Sequence, residues 1–221
     1  MAPKNLLFII FLSMMAPPCF AGDISGFVKI DFLTPDPQSP ISPFARSRSG
    51  VHPRVPSDEV MQSVVYLSAS RSLPIGSPPD IMPIVDQRNL TIIPHILPIL
   101  VGTVVEFPNS DALYHNLFSL SPARKFDLGR YAKGKSKTVT FDKVGEVHIF
   151  CDIHPSMSGV VLVLPNQYFT TTDREGHFQI KDVPAGTYEI NAWHEQLADV
   201  KETVVVPTSG NVEVILNLSE K

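Results

Sequence analysis

The chain has 221 residues, of which 43% are hydrophobic and 18% are charged, and its formal net charge at pH 7 is −4. This length allows one large domain or two small ones, and the apolar content is sufficient for a packed core. The slight acidic balance argues against nucleic acid and against an anionic membrane as partners. Twenty-one prolines favour many short strands, turns and loops.

Residues 1–21 are predicted to form a secretory signal peptide. Lys4 supplies its positive start, and the apolar run Leu6–Met15 is too short to span a bilayer. Cys19 and Ala21 are small residues at a typical cleavage site, so we expect cleavage after Ala21 and a periplasmic mature protein. A lipoprotein signal would instead use Cys19 as the lipid acceptor, but the two prolines before it match such a signal poorly.

The sequence contains two cysteines, Cys19 and Cys151. Cleavage of the signal peptide leaves only Cys151, so the exported chain cannot form an internal disulfide. A free thiol in that compartment would be open to oxidation. Coordination of a metal by Cys151 would protect the thiol, and the cysteine count therefore favours a metal site.

Residues 22–79 contain two predicted strands and much irregular chain. Apolar and polar residues alternate in Ile24–Phe32, as in a half-buried strand, and Ser63–Leu67 is a second short strand. The segment 34–60 is rich in proline and arginine, has no hydrophobic period and is predicted to be a loop. Its arginines could dock an acidic partner, although a solvated loop is favoured. The proline-rich stretch 73–83 is predicted to be a linker.

Residues 80–164 are predicted to form a β domain. Strands are expected at Asn89–Ile93 and Ile99–Phe107, with His95 at the surface between them. A hairpin is expected from Thr138–Phe141 and Glu146–Cys151. The strand Val160–Leu164 is apolar on both faces, which predicts that another part of the protein covers it.

Cys151, His154 and Met157 form the motif Cys-x-x-His-x-x-Met at the end of the predicted hairpin. A tight loop of this length can turn a thiolate, an imidazole and a thioether toward one point. Two His, one Cys and a weak, long Met make the blue-copper arrangement, and His115 is the best candidate for the second imidazole. The competing interpretation makes Cys151 a core cysteine and His154 a surface histidine that are neighbours by chance.

The tail, residues 165–221, is predicted to contain strands separated by turns at Thr172–Gly176 and Asp182–Gly186. Thr-Asp-x-x-Gly-x-Phe-x-Ile followed by Val-Pro-Ala-Gly-x-Tyr resembles the prealbumin-like fold of carboxypeptidase regulatory modules. In those modules a strand like Ile24–Phe32 comes first. We therefore expect a domain that is split, with residues 80–164 inserted between its two parts. A packing role is favoured for 193–195 (Trp-His-Glu) over a functional patch.

Residues 80–164 also resemble a cupredoxin. The loop 151–157 is similar to the short ligand loop of amicyanin, including the proline after the histidine, and 102–107 followed by Asn109 and His115-Asn116 resembles the first-ligand segment. The resemblance implies four copper ligands: His115, Cys151, His154 and Met157. It also implies that Asn116 pins the ligand loop by hydrogen bonds. Ile153 stands where amicyanins have proline, which would make the loop less rigid.

The expected fold is therefore all-β, with a Greek-key cupredoxin sandwich and a smaller prealbumin-like β-sandwich split around it. The whole chain resembles periplasmic proteins labelled methylamine-utilisation or plastocyanin-like. This likeness implies a type 1 copper protein with one copper ion that carries single electrons. It also implies a redox partner, either a cytochrome c or a periplasmic dehydrogenase.

Two other functions are compatible with the same residues. A copper chaperone or storage protein would use the same ligands in a more open site. An adhesion or assembly module would bind a protein or a glycan through the tail, with copper secondary. We do not expect an enzyme, because no His-x-His motif for a second copper and no Ser-His-Asp or paired-carboxylate motif stands out.

Overall fold

The computed structural model describes residues 21–30, 62–70 and 73–221. Within these ranges the chain forms seventeen strands and no helix, so the all-β prediction is confirmed. The predicted signal peptide as far as residue 20, and the insert 34–60, lie outside the described residues. In the part of the chain that the structure covers, no helix is long and apolar enough to cross a membrane.

The strands are numbered in chain order. They are β1 (Ala21–Ile30), β2 (Val64–Leu67), β3 (Asp86–Arg88), β4 (Thr91–Ile93), β5 (Ile96–Leu100), β6 (Thr103–Pro108), β7 (Leu117–Ser119), β8 (Phe126–Asp127), β9 (Ser136–Phe141), β10 (Gly145–Cys151), β11 (Ser158–Leu164), β12 (Phe169–Thr171), β13 (His177–Pro184), β14 (Gly186–Trp193), β15 (Leu197–Ala198), β16 (Val200–Val206) and β17 (Asn211–Glu220).

Strands β3 to β11 build a central sandwich. One layer is the five-stranded sheet β5-β11-β10-β7-β8, and the other consists of the pairs β3-β4 and β6-β9. Bridges from Ile84 to Glu106 and from Gln87 to Asn109 join these two pairs. Alternation along β10 turns apolar side chains into the core between the layers, which contains Val85, Ile92, Ile99, Val105, Phe107, Leu117, Val139, Phe141, Val147, Ile149, Cys151, Met157, Val161 and Val163.

The remaining strands, from both ends of the chain, build a flanking sandwich. Its sheets have the orders β13-β1-β17-β15 and β12-β2-β14-β16. Strand β1 runs antiparallel to β13 and parallel to β17, so that Ile24 lies opposite both Ile180 and Val212. Strand β2 pairs with β12 and β14. The N-terminal strands thus complete the sheets of the C-terminal region, while the domain boundaries and the prealbumin-like assignment stay predictions.

The two sandwiches contact each other across the outer face of β11. Val160, Leu162 and Leu164 are buried there in a cluster with Val64, Ile96 and Trp193. The prediction that β11 is covered on both faces is therefore confirmed. The indole Nε1 of Trp193 donates a hydrogen bond to Glu146 Oε1 at 3.0 Å, which supports the packing role expected for this end of β14.

The prediction of His95 as a surface residue is wrong. Its ring is buried, with Nε2 2.7 Å from Glu195 Oε2 and Nδ1 3.1 Å from the carbonyl oxygen of Ser158. The prolines on either side suggested an exposed loop. Strand β5, which follows His95, instead pairs in parallel with β11 next to the flanking sandwich, and His95 links the two.

Two predicted strands are interrupted by turns, one within the strand and one at its start. The expected strand Ile99–Phe107 is two strands, β5 and β6, with Gly102 at φ 89° between them. The expected strand Asn89–Ile93 begins with the turn of the β3-β4 hairpin, where Asn89 and Leu90 have φ of 53° and 59°. Leucine rarely adopts this left-handed conformation, so the sequence gives little signal for the turn.

Candidate metal centre

The loop between β10 and β11 holds three of the predicted ligands. Cys151 is the last residue of β10, and Ser158, the first of β11, follows Met157. The backbone N–H of Met157 donates to the carbonyl of His154 at 3.0 Å, and the N–H of Cys151 donates to the carbonyl of Met157 at 3.1 Å. These two hydrogen bonds fold the loop back on itself.

His115 approaches from a second loop, between β6 and β7. Its backbone exchanges two hydrogen bonds with Tyr131, at 3.0 and 3.3 Å. The carbonyl of the next residue, Asn116, accepts a hydrogen bond from the N–H of Asp152 at 3.0 Å, which ties the two loops together. The expected pinning by Asn116 is thus made by its backbone, while its side chain bonds to Asp127. The pKa of Asp127 is lowered by hydrogen bonds from Gly129 and from Asn116.

Three donor atoms converge where the loops meet. His115 Nδ1 and His154 Nδ1 are 3.0 Å apart, and Cys151 Sγ lies 3.8 and 3.7 Å from them respectively. A point at equal distance from the three lies about 2 Å from each, close to the roughly 2.0–2.3 Å that imidazole nitrogen and thiolate sulfur keep from a zinc ion. The group therefore fits a metal ion.

Met157, the fourth predicted ligand, is buried in the central core together with Cys151. Only 1% of its surface is exposed. Its backbone hydrogen bonds to Cys151 and His154 keep it in the same tight loop as those two ligands. Coordination by its thioether stays a prediction.

Asp111 supports His115, a role that was not predicted from the sequence. Its Oδ2 lies 2.9 Å from His115 Nε2, and the His115 side chain is fully buried. Burial alone would raise the pKa of Asp111. The hydrogen bonds that it accepts from the backbone of Leu90 and from His115 outweigh burial, and the pKa lies below its ordinary value. The only sequence feature that could have indicated this contact was the four-residue spacing between Asp111 and His115.

Tyr131 is a second neighbour of the centre that the sequence did not indicate. Its phenol is buried and accepts a hydrogen bond from Gln87 Nε2. Burial raises the pKa of Tyr131 to about 12, with a further contribution from the charge of Cys151, against the lowering effect of Gln87. The phenol therefore stays protonated at neutral pH.

The centre reaches the surface through His154. His154 is half-buried, whereas His115 and Cys151 are buried. The two ligand loops expose Leu113, Tyr114 and Pro155, here called the apolar rim; Leu113 is 49% and Tyr114 61% exposed. Phe150, on the opposite face of β10 from Cys151, is 42% exposed.

Comparison with known proteins gives one family match and several structural likenesses. The model of a family described as polysaccharide lyase family 4, domain II, matches residues 155–214, which is less than half of the chain. No curated protein matches the chain.

The similar solved structures include a copper-containing nitrite reductase from Thermus scotoductus SA-01, with 25% identity over 46% of this chain and a TM-score of 0.38. The chain spans about a quarter of that protein, 26% of its length. The Cu(I) form of an amicyanin mutant is 26% identical over 42% of this chain and 96% of its own, with a TM-score of 0.35. A purple cupredoxin from Nitrosopumilus maritimus is 25% identical over 37% of this chain and 98% of its own, with a TM-score of 0.34. The donor atoms described above, and not these likenesses, carry the assignment of a metal centre.

Proposed function

We propose that this protein is a periplasmic carrier of single electrons, with one type 1 copper ion held by His115, Cys151, His154 and Met157. The observation that carries the proposal is the convergence of two imidazole nitrogens and one thiolate sulfur within 3.0 to 3.8 Å of one another. This donor set, with a methionine in the same loop, is that of blue-copper sites. When bound, the copper would alternate between Cu(I) and Cu(II).

The protein contributes a ligand set that is held in place before the metal binds. Cys151 ends a strand that pairs with β11 on one side and β7 on the other. The hydrogen bond from Asp152 to Asn116 fixes the second loop against the first. Because the ligands are fixed by backbone pairing, little should rearrange when the electron arrives or leaves.

The enclosure of the ligands supports a carrier over a chaperone or an enzyme. The exposed fractions of His115, Cys151 and Met157 are 0, 5 and 1%. A chaperone must pass its metal to a partner, which needs accessible ligands. A catalytic metal keeps an open coordination position for its substrate, whereas four protein ligands here would fill the set.

The proposed electron route leads through His154 to the apolar rim. The rim is small and uncharged, which suits the weak and transient contacts of redox encounters. We propose that a redox protein, either a cytochrome c or a periplasmic dehydrogenase, docks over this surface.

The test is the visible spectrum of the purified protein during titration with copper(II). We expect an intense thiolate-to-copper band that saturates at one ion per chain, and reversible reduction without loss of metal to a chelator. Cys151→Ser should remove the band, while His148→Ala on the same strand should keep it, because His148 bonds to Glu146 and not to the centre. Loss of copper to the chelator on each reduction would favour the chaperone instead.

A second candidate function, binding of a glycan by the flanking sandwich, is favoured by a groove on its outer face. Phe27 and His177 meet edge to face there, with ring centroids 5.3 Å apart, beside the exposed Ile215. Gln179 and Glu213 line the same groove and offer hydrogen bonds. The matching family model, which covers much of this sandwich, is named for a polysaccharide lyase. Retarded migration in gels that contain soluble polysaccharide, kept without copper and lost in Phe27→Ala, would support this candidate.

A further inference from the structure

The ring of His115 is held on its far side by a carboxylate. Asp111 Oδ2 accepts a hydrogen bond from His115 Nε2 at 2.9 Å, with the Asp111 side chain only 12% exposed. The Nε2 atom must then carry the hydrogen, which leaves the lone pair of Nδ1 facing Cys151 and His154. Among the described residues, no carboxylate bonds to the ring of His154, so only one of the two imidazole ligands has this support.

The Asp111 carboxylate is bound by the turn of the β3-β4 hairpin. The N–H groups of Asn89 and Leu90 donate to its two oxygens at 2.6 and 2.9 Å. Both residues are in the left-handed conformation, and consecutive N–H groups in such turns make concave sites for anions. The position of Asp111 is therefore set by the β3-β4 hairpin and not by its own loop alone.

A second set of hydrogen bonds fixes the loop that carries Asp111. The Asp111 N–H donates to Asn109 Oδ1 at 2.9 Å. The amide Nδ2 of Asn109 donates in turn to the carbonyls of Leu113 and Tyr131, at 2.9 and 3.0 Å. Asp111 and His115 are thus held in one hydrogen-bonded frame from both sides.

We propose that Asp111 is a positioning residue that selects the tautomer of His115 and lowers the reduction potential of the centre. A carboxylate that accepts from a ligand imidazole fixes its tautomer and makes it a stronger donor. The added negative charge favours Cu(II), the more highly charged ion, over Cu(I). The part of this inference that concerns the potential rests on the proposed function, whereas the tautomer is a property of the metal-free protein.

The first measurement is the tautomer of His115 in the metal-free protein, from the ring ¹⁵N shifts. The wild type should show hydrogen on Nε2 alone, and Asp111→Ala should show a mixture of tautomers. The same pure Nε2–H form in Asp111→Ala would overturn the positioning role, whatever the protein does with copper.

The second measurement is the reduction potential of the copper-loaded protein by voltammetry. Loss of such a support commonly costs about 10- to 100-fold in metal affinity. If Asp111→Asn lowers the affinity for Cu(II) tenfold and leaves the affinity for Cu(I) unchanged, the reduction potential rises by about 59 mV. The visible band should be retained. Asp111→Glu, which keeps the charge, should return the potential toward that of the wild type.

The matched control is Asp142→Asn. This variant also removes one carboxylate from the central sandwich, but Asp142 is exposed and faces Arg124 at 3.7 Å, not a ligand. An equal change of potential in both variants would overturn the role of Asp111 in tuning. A wild-type protein without the thiolate-to-copper band would overturn the proposed function and leave the tautomer measurement to decide the positioning role.

Discussion

The central and flanking sandwiches are both all-β, but they are assembled from the chain in opposite ways. The predicted ligands of the central sandwich lie in two short loops, one between the neighbouring strands β10 and β11 and the other between β6 and β7, which belong to different layers. The flanking sandwich needs β1, from near the N-terminus, between β13 and β17, from near the C-terminus. The site therefore depends on contacts that are close in sequence, whereas the flanking core depends on contacts across nearly the whole chain.

Excision should give the largest effect that separates the two sandwiches. A fragment of residues 165–221 lacks β1 and β2, which occupy internal positions in its two sheets. It should fail to fold, since Ile24, Val28, Val65 and Leu67 are all missing from its core. A fragment of residues 80–164 should still bind copper. The spread of amide resonances in each fragment provides the measurement.

A dispersed spectrum from residues 165–221 alone would show that the flanking sandwich does not depend on the N-terminal strands. The control is the same fragment mixed with a peptide of residues 21–30, which restores β1 and should partly restore dispersion. The fragment 80–164 should also be less soluble than the full chain, because Val160, Leu162 and Leu164 lose the surface that covers them.

A single core substitution should have a smaller effect of the same kind. Ile24 is fully buried, and Ile24→Ala should lower the free energy of unfolding of the flanking sandwich by about 2–5 kcal/mol. The copper spectrum should not change, because Ile24 belongs to the flanking core only. Denaturant unfolding followed by circular dichroism and by the copper band would measure the two sandwiches separately.

Coincident loss of both signals in Ile24→Ala would show that the two sandwiches unfold as one unit. The matched control is Ile149→Ala, at a position in the central core that is 1% exposed. In Ile149→Ala the copper band should be lost at a lower denaturant concentration than the signal of the flanking sandwich, which is the opposite order from Ile24→Ala.

These predictions also show which parts of the molecule the sequence could reveal. Cys151, His154 and Met157 could be found because their spacing is local and their donor types are specific. Asp111 was missed because an aspartate in a turn is ordinary, and its position depends on the left-handed Asn89 and Leu90, which lie 22 and 21 residues earlier. A leucine gives no sign of that conformation.

Burial at the contact between the sandwiches was harder to predict than either core. The apolar strand β11 correctly indicated that a cover exists. The sequence could not indicate that the cover includes Trp193 or that His95 bonds to Glu195, because the hydrogen bonds involved join residues 47 and 100 positions apart. The flanking prolines of His95 suggested a loop, and only the parallel pairing of β5 with β11 shows why it is buried.

The hydrogen bond between His95 and Glu195, which joins the two sandwiches, should make their coupling depend on pH. The hydrogen bond to His95 lowers the pKa of Glu195 against the effect of burial. A carboxylate whose pKa is depressed by folding contributes stability above its ordinary pKa, and this contribution is lost as the pH falls through the folded value. We therefore expect the coupling to weaken as the pH falls below about 4, the ordinary range of a glutamate.

Glu195→Gln tests this directly, because it keeps the shape of the side chain and removes its charge. The thermal midpoint of the wild type should fall more steeply than that of the variant between pH 5 and pH 3, because a hydrogen bond to a charged group typically contributes about 1.5–3 kcal/mol to stability. Parallel curves for the two proteins would show that the pair contributes nothing. Glu175→Gln, an exposed carboxylate of the flanking sandwich, provides the control.

The smallest expected effect leaves both folds intact and concerns only the surface through which the electron leaves. Leu113 in the apolar rim is 49% exposed, so Leu113→Lys should fold normally and keep the copper spectrum. A charge at the rim of a transient contact mainly changes the association rate, and we expect electron exchange with the redox partner to slow by about tenfold at low salt.

Ile215→Lys adds the same charge to the flanking sandwich, at a position 66% exposed, and should leave the rate unchanged. Phe150 is 42% exposed on the opposite face of β10 from Cys151 and offers a second exit for the electron; Phe150→Ala should matter less than Leu113→Lys. Stopped-flow rates would reverse this assignment if Leu113→Lys had no effect while Phe150→Ala caused a large loss, because the electron would then leave across the outer face of β10.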